Sequence, residues 1–293
     1  MGEFIQFLQT QTLEGAAADA GNLADQWRVA RNRIDELTAN EAGIADIPVA
    51  SELPVSLGGL ASALLNDPLT RQTFGVTPTS VEMVELDKLV VYQKMINLTY
   101  AGQLQSLVGD APTEEALFQF ALPMDGRYDP VPNAAPMSFG PHGALLWGAV
   151  SPSSDFRVLN TMLLDPTQIS GLSVNGRPTH VFAVAVGYGS NLLSAIRIGS
   201  RLVLRNGSHR AYALRASGVS HAPMLVQDIP SNEESELLPP EVQQHRDLYL
   251  AHPRPPLLRD YFDAELHIVV SVPRKAKQVR VQVGYEEGPA LGV

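Results

Sequence analysis

The sequence predicts an α/β or α+β protein: a mixed sheet flanked by helices, with an N-terminal helical segment and a C-terminal β-hairpin. Apolar residues recur at helical spacing over residues 3–40, whereas short apolar runs of strand length dominate from residue 178 onward. Hydrophobic residues make up 45% of the 293 residues, which is enough for a sizeable core.

The N-terminal segment, residues 3–40, carries its apolar residues at roughly helical intervals, with Gly15 and Gly21 as breaks. Such a helix either packs on its own domain or docks on a neighbouring subunit, and the sequence leaves both alternatives open. Residues 43–58 are rich in Gly and Pro and predict a connection.

The next stretch predicts a helix, a strand and a second helix. Residues 60–74 predict a short helix that Pro68 interrupts, and the apolar-rich residues 81–86 predict a strand. Asp87 follows as the N-cap of a helix that runs to about residue 107.

Another short helix is predicted to start at Thr113, before a long loop. Residues 122–143 are rich in Pro and Gly, and a loop of this length is either functional or a domain junction. Asp125 and His142 lie in it, but one histidine with scattered carboxylates does not form a metal-ligand cluster.

Beyond residue 178 the pattern is β-rich. The continuous apolar run at 181–186 predicts a strand buried on both faces, and residues 201–204 and 223–227 predict two more strands. Between the last two strands, residues 211–217 predict a helix closed by Gly218.

The C-terminal part predicts a wrapping segment at residues 230–260, with one short helix near 241–249. Alternating apolar residues at 266–272 and 279–283 predict a hairpin around a basic turn. The Gly-rich residues 187–191 follow a strand but lack the lysine of a phosphate loop, so they predict a hairpin turn.

Composition narrows the function classes. The chain has no cysteine, which excludes disulfides, thiolate metal sites and a cysteine nucleophile. A net charge of −10 without a clustered basic face argues against nucleic-acid binding. The N-terminus lacks the basic region of a signal peptide and no stretch is apolar enough to span a membrane, so we expect a cytoplasmic protein.

The surface is expected to be poor in charge. Charged residues make up 18% of the chain, below the roughly 25% that is typical of soluble domains. This composition suits a homo-oligomer or a complex with a protein partner. The alternative is an ordinary monomer with a mildly apolar surface.

The candidate functional site is the segment Asn206-Gly207-Ser208-His209-Arg210. In it a predicted strand ends, a glycine turn follows and a predicted helix begins. The first N–H groups of a helix favour an anion. Gly207 allows the backbone to approach a ligand, and Ser208 can cap the helix or bind a phosphate oxygen. His209 and Arg210 add donors. This order of residues predicts a turn that binds phosphate. The alternative is a turn whose role is purely structural.

This turn, followed by Ala213-Leu214, Gly218 and Pro223, resembles the signature helix of the ParB/sulfiredoxin superfamily. Members carry a Gly-x-(His/Arg)-Arg turn after a strand, then an Ala-rich helix, a Gly and a short strand that starts at Pro. Residues 84–93 are similar to the superfamily's opening strand, and residues 178–184 to its middle strand. The resemblance covers about residues 80–230.

The resemblance implies a ParB/sulfiredoxin-like core and a nucleotide site. Asn206–Arg210 would lie on the phosphates of a nucleoside diphosphate or triphosphate, with Mg²⁺. Ser208 stands where sulfiredoxin has its catalytic cysteine, which excludes that reductase chemistry. Residues 262–285 predict strands where the partition proteins have a helix-turn-helix. The functions that the resemblance leaves open are phosphoryl transfer, nucleotide hydrolysis and a scaffold without activity.

These elements divide the chain into three parts. They are an N-terminal helical segment at 1–78, a ParB/sulfiredoxin-like domain at 79–230 with an insertion near 100–170, and a wrapping segment with the hairpin at 231–293.

Phosphoryl transfer needs a carboxylate base within reach of the acceptor hydroxyl. Glu85 and Asp87 are the candidates, because the opening strand lies near the phosphate turn in the superfamily fold, and His209 is the third catalytic candidate. The alternative for both carboxylates is a strand-edge charge and a helix cap. The leading hypothesis is a nucleotide-binding phosphotransferase or NTPase. Its rivals are a non-catalytic assembly subunit and a DNA-associated regulator.

Overall fold

The protein is a mixed α/β protein with helices beside a mixed sheet, as the sequence predicts. The computed structural model describes residues 20–47, 50–109, 112–124, 133–139, 145–151, 156–171, 174–230, 237–273 and 276–283, together with Gln6, Leu8, Thr10 and Thr12. The chain divides into two compact units. The first combines residues 1–127 with 190–273, and the second combines residues 128–189 with 274–293.

The helices and strands are labelled in chain order. They are α1 (Ala20–Asn40), β1 (Ala50–Ser51), α2 (Gly58–Asn66), α3 (Pro68–Phe74), β2 (Thr79–Glu85), α4 (Leu98–Val108), α5 (Glu114–Ala121), β3 (Asn133–Phe139), β4 (Leu145–Ser151), β5 (Arg157–Leu164), β6 (Val181–Gly187), β7 (Ser194–Ile198), β8 (Arg201–Asn206), α6 (Ser208–Ala216), β9 (His221–Asp228), α7 (Pro240–Gln244) and β10 (Lys277–Val283).

A five-stranded mixed sheet forms the centre of the first unit, in the order β1-β2-β9-β7-β8. β2 pairs antiparallel with β9, and β7 pairs parallel with β9, with Ser194 opposite Leu225. Residues of the predicted wrapping segment form a buried apolar cluster with side chains from β7, from β8 and from three other parts of the unit. Its members are Ala45, Val90, Ile196, Val203, Ile229, Leu238, Val242, Tyr249 and Leu257.

The long helix α1 is tied to the wrapping segment by ion pairs. The Nε atom of Arg33 lies 2.9 Å from Asp263, and Glu41, just beyond the helix, binds both Arg254 and Arg259. The helix α1 is therefore bound to other residues of its own unit.

Two helix breaks that the sequence predicts, at Gly21 and near residue 68, have different outcomes. α1 begins at Ala20, so Gly21 lies inside its first turn and does not break it, whereas Gly15 lies outside the described residues. The predicted interruption near residue 68 is confirmed. The side chain of Asp67 accepts a hydrogen bond from the amide of Thr70 at 2.8 Å and starts a separate helix, α3.

The predicted helix start at Asp87 is wrong. A short 3-10 turn follows β2, and the chain then runs on without helix to Asn97, whose side chain accepts a hydrogen bond from the amide of Tyr100 at 3.1 Å and caps α4. Val90 forms backbone hydrogen bonds with β8. These bonds to a distant strand outweigh the local helical spacing.

The helix predicted to start at Thr113 is confirmed, since this side chain caps α5 by accepting from the amide of Ala116 at 3.2 Å. The predicted loop at 122–143 is wrong in part, because β3 lies within it and pairs antiparallel with β4. Asp125 and His142 lie outside the described residues.

A three-stranded sheet in the order β10-β4-β3 belongs to the second unit. The predicted C-terminal hairpin is wrong, because residues 266–273 form no strand. β10 pairs instead with β4, Lys277 opposite Ser151, and this antiparallel partner lies far earlier in the chain.

The second unit also contains a two-stranded antiparallel ribbon, β5 with β6. The strand predicted at 181–186 is confirmed, but its predicted burial on both faces is wrong, since Phe182 is 83% exposed. The Gly-rich residues 187–191 do not form a hairpin turn, because β6 and β7 belong to different sheets. Within the described residues, no helix combines the length and apolar character needed to cross a bilayer.

Candidate functional site

The turn Asn206–Arg210 joins the end of β8 to the start of α6, as predicted. Gly207 is the residue before the helix and has a left-handed backbone conformation, with φ 91° and ψ 29°. The side chain of Asn206 closes the turn on both sides. Its Oδ1 atom accepts from the amide of Gly207 at 2.9 Å, and its Nδ2 atom donates to the carbonyl of Ser190 at 2.6 Å.

Position 207 needs glycine for two separate reasons. The positive φ is a conformation that other residues adopt at a cost. A Cβ atom at this position would also lie 2.7 Å from Cδ1 and 3.3 Å from Cα of Leu193. The turn therefore lies directly against the start of β7, and the fold itself requires the glycine.

The helix α6 begins without a side-chain cap. Ser208 is its first residue and is only 3% exposed, so the expectation that this serine caps the helix is wrong. The amides of Ser208 and His209 precede the first intrahelical hydrogen bond, which joins the amide of Ala211 to the carbonyl of Gly207 at 2.8 Å. The positive end of the helix dipole is therefore carried by the main chain.

His209 is held between α6 and the segment before α4. Its Nε2 atom accepts a hydrogen bond from the amide of Asn97 at 2.9 Å, so the neutral ring carries its proton on Nδ1. The ring contacts Tyr100 edge-on, with centroids 5.5 Å apart. Burial lowers the pKa of His209. The side chain is therefore favoured in its neutral form and is not the positive donor that the sequence predicts.

Acidification is expected to destabilise the wild-type protein more than a His209→Gln variant. Because burial holds the pKa of the folded state below the ordinary 6.5, the unfolded chain binds the proton first as the pH falls. This contribution to stability is fully present above the unfolded pKa and is lost as the pH falls through the folded pKa. Protonation also removes Nε2 as the acceptor for the amide of Asn97. Urea unfolding at about pH 7.5 and about pH 5 measures the difference; equal pH dependence in both proteins would contradict it.

Arg210 does not open onto a cleft; it is buried, with 3% of its surface exposed. Its Nη1 atom donates to the carbonyl of Asn191 at 2.6 Å and to that of Ala121 at 3.4 Å, and Nη2 donates to Oδ1 of Asn191 at 3.1 Å. The guanidinium also lies over the ring of Phe120. Arg210 therefore joins α6 to the end of α5 and to the segment that leads into β7.

The two candidate carboxylates are held in ion pairs away from the turn. Glu85 binds Lys88 at 2.9 Å, and Asp87 binds Nε of Arg215 at 2.9 Å. Arg215 lies about two helical turns from Ser208, which is about 10 Å along the axis of α6. The structure therefore brings Asn206–Arg210 together but leaves Asp87 at the opposite end of the same helix.

The residues that hold the turn were missed by sequence reasoning: Asn97, Ala121, Ser190, Asn191 and Leu193. Asn97 carried a usable signal, because an asparagine just before a helix is a typical N-cap. Asn191 ends the Gly-rich segment after β6, which is a place where the backbone approaches other groups closely. Ser190 lies in the same segment, whereas Ala121 and Leu193 are indistinguishable from ordinary core residues.

A partly buried cation also lies two residues before Gly207. The Nη1 atom of Arg205 donates to the side-chain oxygen of Gln227, and burial lowers the pKa of this arginine. The hydroxyl of Tyr92 donates to the Arg205 carbonyl at 3.0 Å. Because the side-chain amide of Gln227 is neutral, its contact with Arg205 does not cancel the positive charge of this arginine.

Neither of two surface recesses includes the turn. One, of about 390 Å³, is lined by Leu8, Thr12, Leu23, Gln26, Ile268, Val269 and Val270. The other, of about 490 Å³, belongs to the second unit and is lined by Pro166, Thr167, Ile169, Gly171, Val174, Gly176 and Pro178. Among the described residues, no group of three or more His, Asp or Glu side chains is arranged to hold a metal ion.

Comparisons with protein-family models, with curated proteins and with solved structures gave no match to this chain.

Proposed function

We propose that this protein binds a nucleoside diphosphate or triphosphate at the N-terminus of α6. The observation that carries the proposal is the left-handed Gly207 directly before a helix that no side chain caps. Phosphate oxygens would accept hydrogen bonds from the amides of Ser208 and His209, where the helix dipole favours negative charge. The main chain, and not the side chains of the turn, would supply the donors.

The side chains of the turn support this role by holding the main chain still. Asn206 is bonded to the amide of Gly207 and to Ser190, and Arg210 is bonded to Asn191 and Ala121. A binding site whose donors are already oriented loses less conformational entropy when a ligand arrives. Arg210 is therefore a positioning residue in the proposal, and not a phosphate ligand.

The resemblance of the turn to that of the ParB/sulfiredoxin superfamily supports the same proposal, which includes a ParB/sulfiredoxin-like core around residues 80–230. Mg²⁺ enters it as an ion that the phosphates themselves would hold, since Asp87 and Glu85 are engaged in ion pairs. We do not propose phosphoryl transfer. The ion pair with Arg215 holds Asp87 near the C-terminal end of α6, about 10 Å along the helix axis from Ser208.

Placing a carboxylate beside the phosphate site is expected to weaken nucleotide binding. His209→Asp puts a negative charge in the first turn of α6, where it repels phosphate, and it removes the contacts of His209 with Asn97 and Tyr100. We expect the affinity to fall at least tenfold, which corresponds to about 1.4 kcal/mol. Calorimetric titration with a panel of nucleoside diphosphates and triphosphates in Mg²⁺ measures this affinity.

The matched control is His180→Asp, the same substitution at an exposed position of the second unit. This variant should bind nucleotide as the wild type does. Wild-type protein that binds no member of the panel, or a His209→Asp variant that keeps wild-type affinity, would disprove the proposed site.

A non-catalytic assembly subunit is the second candidate function, and a separate observation favours it. Several bulky apolar side chains of the second unit are exposed on one ribbon, namely Val158, Leu159, Met162, Leu163 and Phe182. Apolar patches of this kind usually mark interaction surfaces. Nucleotide binding and assembly are compatible, since they use different units of the chain.

A further inference from the structure

The ribbon formed by β5 and β6 leaves all of its apolar side chains exposed or half-buried. Phe182 lies opposite Leu163, and Val186 lies opposite Val158, so these four side chains share one face. Three of them are exposed by 83%, 55% and 44% for Phe182, Leu163 and Val158. A two-stranded ribbon is marginally stable by itself and gains stability when further strands cover it.

The outer edge of β6 lacks the features that normally protect an edge strand. Natural edges carry lysine, proline, inward charges or bulges that prevent pairing with another strand. Residues Val181–Gly187 contain no charged residue and no proline. In the part of the chain that the structure describes, β5 is the strand that pairs with β6, and it covers one of the two edges of β6.

The side-chain sizes along β6 are nearly symmetric about Val184. On either side of this residue stands a small side chain, Ala183 or Ala185, and next to each of these a bulky one, Phe182 or Val186. If two copies pair antiparallel with Val184 opposite Val184, each Ala183 faces Ala185 of the second copy. Each Phe182 then faces Val186. Small residues meet small ones and bulky residues meet bulky ones, which is the match that cross-strand pairs favour.

The charge distribution along the ribbon permits a second copy as the partner. The chain has a net charge of −10, so two copies repel each other over most of their surfaces. The fifteen residues of β5 and β6 include one charged side chain, Arg157, which lies opposite Gly187 at the end of the ribbon. Two copies can therefore approach along β6 without bringing like charges together.

We propose that β6 pairs antiparallel with β6 of a second copy, across a two-fold axis at Val184. The product is a four-stranded sheet in the order β5-β6-β6-β5, in which the open edge of β6 disappears and the bulky faces form one continuous apolar surface. The interface is isologous, as in most soluble homodimers. This inference does not depend on the proposed nucleotide binding and gives the assembly function a defined partner.

The absence of cysteine from the chain allows a direct test. In a Val184→Cys variant the two sulfurs would face each other across the axis. Directly opposed residues have Cα atoms about 4.5–5.5 Å apart, within the range of a disulfide. We expect mild oxidation to convert the wild-type-like dimer into a covalent one, seen by non-reducing electrophoresis.

The matched control is Phe182→Cys. In the proposed register this residue faces Val186 of the second copy, so the two introduced cysteines are offset by four residues, or about 13 Å along the strands. This variant should not cross-link. Equal cross-linking of both variants, or none at Val184→Cys, would overturn the proposed register.

A pair of charge variants tests whether the partner is the chain itself. Val184→Lys and Val184→Glu each place like charges opposite one another, so each variant alone should weaken association at least tenfold in sedimentation experiments. Mixing the two should restore the dimer, because lysine then faces glutamate. Circular dichroism should show the same secondary structure in both variants and in the wild type.

Three outcomes would overturn the proposal: a wild-type protein that sediments as a monomer, charge variants that associate as the wild type does, or a mixture that fails to associate. The last result would favour a strand from a different protein as the partner. All measurements are made without nucleotide, so failure here leaves the proposed nucleotide site untested and intact.

Discussion

Replacing Arg210 with alanine is expected to lower the free energy of unfolding by roughly 3–5 kcal/mol, combining a buried cavity with the loss of several hydrogen bonds. Arg210 is 3% exposed, and its guanidinium donates to the carbonyls of Asn191 and Ala121, which come from two other segments of the chain. Truncation would remove the guanidinium from both carbonyls, leaving the Ala121 oxygen bonded to the amide of Leu193, and would remove the side-chain link between α6 and these segments. Guanidinium chloride unfolding measures the loss.

Two further variants make this prediction specific. Arg210→Lys keeps the charge and most of the aliphatic stem but has no planar fork, so it should lose about 1–3 kcal/mol and still fold. Arg28→Ala removes an arginine whose side chain is 66% exposed, and its effect should stay within about 0.5 kcal/mol.

The opposite result would reassign Arg210. If Arg210→Ala unfolds at the same denaturant concentration as Arg28→Ala, while nucleotide affinity falls more than tenfold, this arginine is a phosphate ligand. Its contacts with Asn191 and Ala121 would then contribute little to stability, and the structural explanation given above would be incorrect.

Gly207→Ala is expected to cost roughly 2–4 kcal/mol of stability. About 1–2 kcal/mol comes from holding an alanine in the left-handed region. The rest comes from Leu193, whose Cδ1 and Cα atoms would lie 2.7 Å and 3.3 Å from the new Cβ atom. The leucine side chain can rotate, but its backbone is bonded to Ala121 and Leu225 and cannot easily withdraw.

Two other glycines separate these contributions. Gly59→Ala lies in a helix with open space around it and should be neutral or stabilising by about 0.5–1 kcal/mol. Gly218→Ala has a φ of 83° but also open space, so it should show the backbone cost alone. Thermal and denaturant unfolding should rank the losses as 207 above 218 above 59. A Gly207→Ala variant no less stable than Gly218→Ala would show that Leu193 adapts freely.

Where local rules apply, the elements of this protein could be predicted from its sequence. The helix after Thr113, the interruption at Pro68 and the strand–glycine–helix order around Gly207 all depend on groups within a few residues of each other. Caps, proline geometry and glycine conformations act over this range, and the amino-acid sequence displays them directly.

The environment of the same residues was decided by contacts between distant parts of the chain. Arg210 is buried because Ala121 and Asn191 supply its acceptors, and nothing beside it in the sequence distinguishes this position from a phosphate-facing one. The helix α4 is capped by Asn97 and not, as the local pattern predicts, by Asp87, because the backbone of Val90 is hydrogen-bonded to β8. In both cases a hydrogen bond formed across the fold replaced the contact that the local pattern predicts.

The strands of the second unit show the same difference between what local patterns predict and what distant contacts decide. The alternation at 279–283 and the apolar run at 181–186 predict that both segments are strands, and both are. Neither pattern says which strand lies beside it, and β10 pairs with β4 instead of residues 266–272. The sequence by itself therefore determined many of the helices and strands and the order of the turn, because dihedral preferences and side-chain periodicity are local. Only the tertiary structure decided burial and pairing, because these depend on which distant groups remain to satisfy each hydrogen bond and cover each apolar face.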